Sequence, residues 1–406
     1  MFALLLLAHR ITPFFRRFFV TNFIFITGNK TMNYSLLLFS MLFLSIICIA
    51  SVKFLAPAAK KWVENEVAYE NKKTGIFLSG TLTKPLHAQM PIPTVLLISG
   101  MGPNDRNATT YVGHKPFLVL ADHLARQGIA VLRVDKRGVG KSTGVFNTTA
   151  TSKDLSDDVI AGIEYLKTRE DIDTKQIGLI GHSEGGMIAA MVAAETTDIA
   201  FVVLMGGAMV TDIEASIEHT ALQLRADGAS EDMIARDRTL RQQVLELFTQ
   251  EKNAAIAEAK ALAIIQQYWA DLPASLQKES ANLLFAFTEA NAAARVKMYN
   301  SPWYRFFLSY SPASALKRIT VPVLALNGEF DWISSPRITF PVIAKALTEG
   351  GNSDYTLATL PRLNHSLQTC QTGSISEYAT IKEPISPLAL RMISDWIIER
   401  TVNKRT

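Results

Sequence analysis

Cysteine is nearly absent: Cys48 and Cys370 are the only two in 406 residues. Cys48 lies inside an apolar run near the start, so no disulfide framework holds this chain together. Acidic side chains are missing from the first 53 residues, which carry Arg10, Arg16, Arg17, Lys30 and Lys53. The formal net charge of +4 therefore belongs to that segment, and the rest of the chain is close to neutral. A near-neutral body has no electrostatic footprint for nucleic acid. His-x-x-x-His and clustered Cys spacings are absent as well, so no metal site is expected. GVGKST has the look of a phosphate-binding loop, but the full spacing needs a glycine where the chain has Asp135. Neither a cofactor nor a nucleotide is expected, and there is no internal repeat or low-complexity stretch.

What is present is apolar. Hydrophobic residues make up 48% of the chain and charged ones 19%, the balance of a globular protein with a sizeable core. Residues 35–52, SLLLFSMLFLSIICIASV, run without a charge. Such a run near a terminus reads as a signal peptide or membrane anchor, with Cys48-Ile49-Ala50 before Ser51 as a small-residue cleavage site. Met32 offers a more ordinary start for that segment than Met1, because Arg16 and Arg17 interrupt what precedes it. The expectation is a chain that is exported, to the periplasm or medium, or held at a membrane by residues 1–53.

From about residue 67, short Val/Ile/Leu runs alternate with amphipathic stretches. Strands are expected at 75–83, 94–99, 130–134, 177–181, 200–205, 321–327 and 355–360, with helices between them. Near-continuous hydrophobicity means burial on both faces, which is how a mostly parallel sheet in an α/β protein reads. Residues 210–311 break the rhythm with Ala, Leu, Gln, Glu and Lys and no convincing strand. They are expected to form a helical cap over the carboxyl edge of the sheet, between core segments 54–209 and 312–406; ligands of open α/β sheets bind at that edge.

The run IGLIGHSEGGMIAA places Gly181, Ser183 and Gly185 in a G-x-S-x-G motif between a buried strand and an Ala-rich helix. A nucleophile held on so sharp a turn needs small neighbours, which the glycines provide. A serine hydroxyl needs a base, and the base needs an orienting acid, both downstream in the Ser, acid, His order. Of seven histidines only His219 and His365 follow Ser183. His219 falls in the helical insertion, whereas His365 lies in LPRLNHSLQT just after the last strand, so His365 is the expected base. The expected acid is Asp331, in VLALNGEFDWISSP after a strand; Glu329 is expected to be solvated or structural. Backbone N–H donors for an oxyanion are expected from Glu184, at the helix start, and from Met101, with Gly102 next, in the loop SGMGPNDRN. Asp105, Arg106, Asp135 and Arg137 are expected to brace the site as a charged network, the other reading being contact with substrate. Trp269, Trp303, Tyr304, Phe306 and Phe307 are candidates for an apolar lining under the cap, or for plain packing between cap and body.

Those segments, SGMGPNDRN, VDKRGVGKSTG, IGLIGHSEGGMIAA, SPWYRFFLSYSP, LALNGEFD and LNHSLQT followed by EYATIKEPISPLAL, occur in an order that resembles bacterial α/β-hydrolases of the esterase D-like kind. That group is also labelled serine aminopeptidase-like or prolyl oligopeptidase-related, and the resemblance covers about residues 67–400. It implies an α/β-hydrolase fold with a helical cap, and hydrolysis of carboxylic esters of small or medium acyl groups by Ser183, Asp331 and His365. Phe330 and Trp332 depart from the group, where the acid is more often flanked by small or polar residues, and would reshape the pocket. The expected partner is a small acyl ester. An aminopeptidase or dipeptidase, or an acyl-CoA thioesterase, remains open on the same three residues, as does a non-catalytic binding module. The oligomeric state is not legible.

Overall fold

The computed structural model describes residues 61–146 and 149–401. Residues 1–53, with the apolar run, lie outside the described residues. Among the described residues no helix is long and apolar enough to cross a membrane.

Eight strands form one sheet: β1 (Trp62–Asn71), β2 (Ile76–Pro85), β3 (Ile92–Ile98), β4 (Ala130–Val134), β5 (Ile172–His182), β6 (Phe201–Met205), β7 (Val323–Gly328) and β8 (Tyr355–Leu360). Their spatial order is β1-β2-β4-β3-β5-β6-β7-β8, with β1–β2 and β2–β4 antiparallel and every later pair parallel. This is the mostly parallel sheet that the apolar runs predict. β1 is the exception: its sequence WVENEVAYEN pairs only with β2 and is largely exposed, so it carries charges where the central strands carry Val and Leu.

Side-chain alternation along the strands feeds two cores. Leu96 and Ile98 of β3 join one apolar cluster, while Val95 and Leu97 join the other. On the first face lie α2 (Ser152–Lys167), α3 (Glu184–Ala193), α10 (Pro312–Leu316) and α11 (Pro336–Glu349); on the second lie α1 (Pro116–Arg126) and α12 (Pro387–Arg400). α2 starts at a capping box in which Thr151 and Asp154 satisfy each other's backbone N–H. α3 is buried at all ten positions, which explains its Ala and Gly content: it lies too close to the sheet for larger side chains.

Between β6 and β7 the chain is helical: α4 (Ile213–Ala226), α5 (Glu231–Gln250), α6 (Ala254–Asp271), α7 (Ala274–Ser280), α8 (Ala292–Tyr299) and α9 (Pro302–Ser309) precede α10. These helices have apolar clusters of their own. One runs from Leu240 through Phe248, Ile265 and Phe287 to Leu308, the other from Ala221 and Leu224 through Ile234 and Leu276 to Ala286. Inside the first, the buried pair Arg241–Asp237 (2.8 Å) is completed by the Tyr299 hydroxyl and the Phe285 carbonyl, so the two charges are solvated by protein.

Candidate active site

The carboxyl ends of β5, β6 and β7 meet at one edge of the sheet. Ser183, between β5 and α3, has φ 56° and ψ −122°, a conformation that L-residues avoid. The turn is held by the Ser183 N–H donating to the Met205 carbonyl of β6 (3.0 Å) and by Gly186 and Ala208 N–H groups donating to the Ser183 carbonyl. Gly181 and Gly185 are required by close approach. A methyl group on Gly181 would lie 2.1 Å from the Gly185 carbonyl oxygen, and one on Gly185 would lie 2.1 Å from that of Ile98.

Asp331 follows β7 and His365 follows β8. His365 Nδ1 lies 3.0 Å from both Asp331 oxygens. A carboxylate only accepts, so Nδ1 carries the proton and Nε2 is left with a free lone pair. Asp331 is fully buried and its Oδ1 also accepts from the N–H groups of Ile333 (3.0 Å) and Ser334 (2.8 Å). Burial pushes its carboxyl up, but the electrostatic pull of the His365 imidazole and these hydrogen bonds outweigh it and hold it below its usual range. The two loops are knitted together: Glu329 and Phe330 N–H groups donate to Leu360 and Leu363 carbonyls, and the Glu329 carboxylate accepts from the Arg362 N–H (3.0 Å). Glu329 is thus structural. Phe330 stacks on Trp332, whose indole N–H donates to the Thr372 carbonyl (2.7 Å), so this aromatic pair anchors the segment after His365.

His182, immediately before Ser183, packs its ring 4.9 Å from that of His365 and donates from Nε2 to the His365 carbonyl (3.0 Å). Burial pushes this imidazole down to about 4, and it does the same to His219 of α4. Both bind fewer protons folded than unfolded below the ordinary value of 6.5, so their contribution to stability is complete above that value and is lost as pH falls toward 4. The loss is roughly 2 kcal/mol for each by pH 5. Urea unfolding at pH 7 and pH 5 checks this; an unchanged midpoint would mean that the two rings stay hydrated in the folded protein.

The loop after β3 runs beside Ser183: a methyl group on Gly100 would lie 2.9 Å from the Ser183 Cβ. Asn104 Nδ2 donates to the carbonyls of Gly100 (2.9 Å), Met101 (2.9 Å) and Gly102 (3.2 Å), and buried Lys136 also donates to the Gly100 carbonyl. In a trans peptide C=O and N–H point opposite ways, so fixing the Gly100 carbonyl turns the Met101 N–H to the other side. Lys136 Nζ also lies 3.8 Å from the Glu184 carboxylate. Glu184 accepts from the Ser152 hydroxyl and the Trp303 indole N–H, each at 2.7 Å. One side chain beside Ser183 thus ties together the start of α2, helix α9 and the loop after β4.

Sequence reasoning assigned Glu184 and Met101 by their backbone alone and missed Asn104, Lys136 and Ser152, which fix both segments. Trp303 was expected among apolar lining residues and instead uses its polar edge on Glu184. Phe306 and Phe307 pack against the core below the first sheet face, and Trp269 against a cluster within the helical segment. The charged network is internal. Arg106 pairs with Asp135 (2.8 Å) and Glu66 (2.7 Å), and Arg137 with Asp158 (2.7 Å), while Asp105 accepts from Thr109 in its own loop.

A profile of the family described as serine aminopeptidase, S33 matches residues 115–369, well over half of the chain. The chain belongs to this hydrolase family. Esterase EstD of Thermotoga maritima is 34% identical over 134 residues, 32% of this chain and 31% of that protein. Human dipeptidyl peptidase 8 is 36% identical over 146 residues, 34% of this chain and 16% of that protein. The chain therefore spans about a third or less of the length of these curated relatives. Among solved structures, the α/β hydrolase GrgF from Penicillium sp. sh18 superposes with a TM-score of 0.50 at 15% identity, covering 84% of this chain and 99% of that one. This S33-family chain has the α/β-hydrolase fold.

Proposed function

We propose that this chain is a serine hydrolase that cleaves carboxylic esters of small or medium acyl groups, with Ser183 as nucleophile, His365 as general base and acid, and Asp331 orienting the imidazole. The observation that carries the reading is His365 Nδ1 at 3.0 Å from a fully buried Asp331, on the sheet edge where Ser183 occupies its strained turn. His365 Nε2 takes the Ser183 Oγ proton as Oγ bonds to the acyl carbon. The carbonyl oxygen becomes an oxyanion, held by the N–H groups of Glu184 and Met101, with Gly102 as the next donor. The ester C–O bond breaks, and the alcohol leaves with the proton from His365. Water then loses a proton to His365 and attacks the acyl carbon, and the carboxylic acid departs as Ser183 Oγ regains that proton.

Ester is favoured over aminopeptidase chemistry by the carboxylates. Gripping a free amine needs an available acid, and the two beside the turn, Glu184 and Asp331, are committed to Ser152, Trp303 and Lys136 and to His365. The helices between β6 and β7 serve as the cap, reaching the site through Trp303. The export or membrane anchoring expected from residues 35–52 belongs to the same proposal, and fractionation of producing cells tests it.

The test uses the full chain on p-nitrophenyl esters from acetyl to dodecanoyl, aminoacyl p-nitroanilides and acyl-CoA thioesters, with the residue labelled by a fluorophosphonate located by mass spectrometry. Saturable turnover of the shorter esters and a label on Ser183 are expected. Cleavage confined to anilides or thioesters, or a label elsewhere, overturns the reading. Within this mechanism Lys136 is a positioning residue. Lys136→Met is expected to lower kcat by about 10²-fold with KM little changed, because the Gly100–Met101 peptide loses one of its two side-chain anchors. Steady-state kinetics on one ester separates the two constants.

A further inference from the structure

Helix α4 carries two buried polar side chains with unpartnered atoms. His219 and Gln223 are each 7% exposed, and neither His219 Nε2 nor Gln223 Oε1 has a hydrogen-bond partner. Leaving such an atom unpaired costs about 1–3 kcal/mol, and folded proteins contain few of them. Here two stand four residues apart, one turn along the same face of one helix.

His219, on that face, is close enough to the reacting groups to feel their charges. The Asp331 carboxylate and the His219 ring act on each other electrostatically in both directions, and His365 acts on His219 as well. The far end of α4 is tied to the segment after His365, because Asp227, its C-cap, accepts from the Ser374 hydroxyl.

We propose that His219 and Gln223 form a recognition subsite for a hydroxyl group on the substrate, so that the preferred ester carries a free hydroxyl on its acyl or alcohol part. This rests on the ester-hydrolase reading above. A hydroxyl both donates and accepts: its proton goes to Gln223 Oε1, and its oxygen accepts from His219 Nε2–H. The subsite is uncharged, since burial keeps the imidazole neutral at pH 7 and the carboxamide has no charge. A carboxylate or phosphate would find no countercharge there, and a plain alkyl group would leave both polar atoms unpaired.

The experiment compares kcat/KM within two matched pairs by pH-stat: methyl butanoate with methyl β-hydroxybutanoate, and propyl butanoate with glycerol monobutanoate. The full chain and its His219→Phe and Gln223→Leu variants are measured on all four. The unmutated chain is expected to prefer the hydroxylated member of one pair by about tenfold or more, and that pair tells which side of the scissile bond carries the hydroxyl. In both variants the ratio is expected to fall toward one. Both members of a pair are read on the same sample, so partial misfolding of a variant scales them equally and leaves the ratio intact. Ratios near one in both pairs for the unmutated chain, or ratios that survive both substitutions, overturn the subsite. Failure to hydrolyse any of the four esters overturns the ester reading and the subsite with it, whereas turnover without preference removes the subsite alone.

Discussion

Ser183→Ala is expected to reduce kcat on short esters by about 10⁶-fold while the protein stays folded. In the proposed mechanism the hydroxyl is the group that bonds to the acyl carbon, and its neighbours are otherwise engaged: His182 is occupied on the His365 carbonyl and Glu184 by three donors. Alanine keeps the Cβ and hence the backbone strain at φ 56°. Ser183→Gly abolishes activity equally but also releases that strain, so it is expected to raise unfolding stability by about 1 kcal/mol over Ser183→Ala. Steady-state assays and urea melts of the two variants check both halves. Residual turnover in Ser183→Ala above a few parts per million, with contaminating host esterase excluded by active-site titration, would assign the chemistry to another residue.

Asp331→Asn is the second large effect, about 10⁴-fold in kcat. The carboxylate now accepts from His365 Nδ1–H and from two backbone N–H groups. In the amide, Oδ1 keeps the backbone donors at Ile333 and Ser334, which leaves the NH₂ facing His365. Two donors then meet, Nδ1 must become the acceptor, and the proton moves to Nε2, where it blocks removal of the serine proton. NMR of the imidazole nitrogens distinguishes this cause from misfolding, because it shows the changed tautomer in a folded variant. An unchanged tautomer with unchanged kcat would remove Asp331 from the mechanism.

Much of this architecture is readable from residue order because the central strands are buried on both faces and therefore spell themselves out in Val, Ile and Leu. β1 escapes that signal: as an edge strand it is half Glu and Asn, and its pairing with β2 is a property of the backbone. The turn at Ser183 is readable because close backbone approach admits only glycine at 181 and 185, a local demand with a local signature. The anchoring of the Gly100 loop has none. Lys136, Glu184 and Trp303 are brought together from a loop, a helix start and a distant helix, and no spacing in the chain announces it. His219 illustrates the same limit from the other side. Its position in the helical insertion argued against a role as base, but α4 follows β6 directly, and a residue 36 positions beyond Ser183 comes within electrostatic reach of the Asp331–His365 pair.

The helices between β6 and β7 have one more consequence. Their two apolar clusters draw only on their own residues, and the strands they connect, β6 and β7, are hydrogen-bonded neighbours. A segment with a private core and adjoining ends is a cartridge: drift in its sequence, or its exchange for another helical segment, leaves the sheet and its turns untouched. The points that resist replacement include Trp303 on Glu184, Asp227 on Ser374, and Phe306 and Phe307 against the core of the first sheet face. Natural variation in the substrates of such chains is therefore expected to accumulate in this segment faster than in the strands, and laboratory recombination that keeps those junctions has a ready-made unit to shuffle.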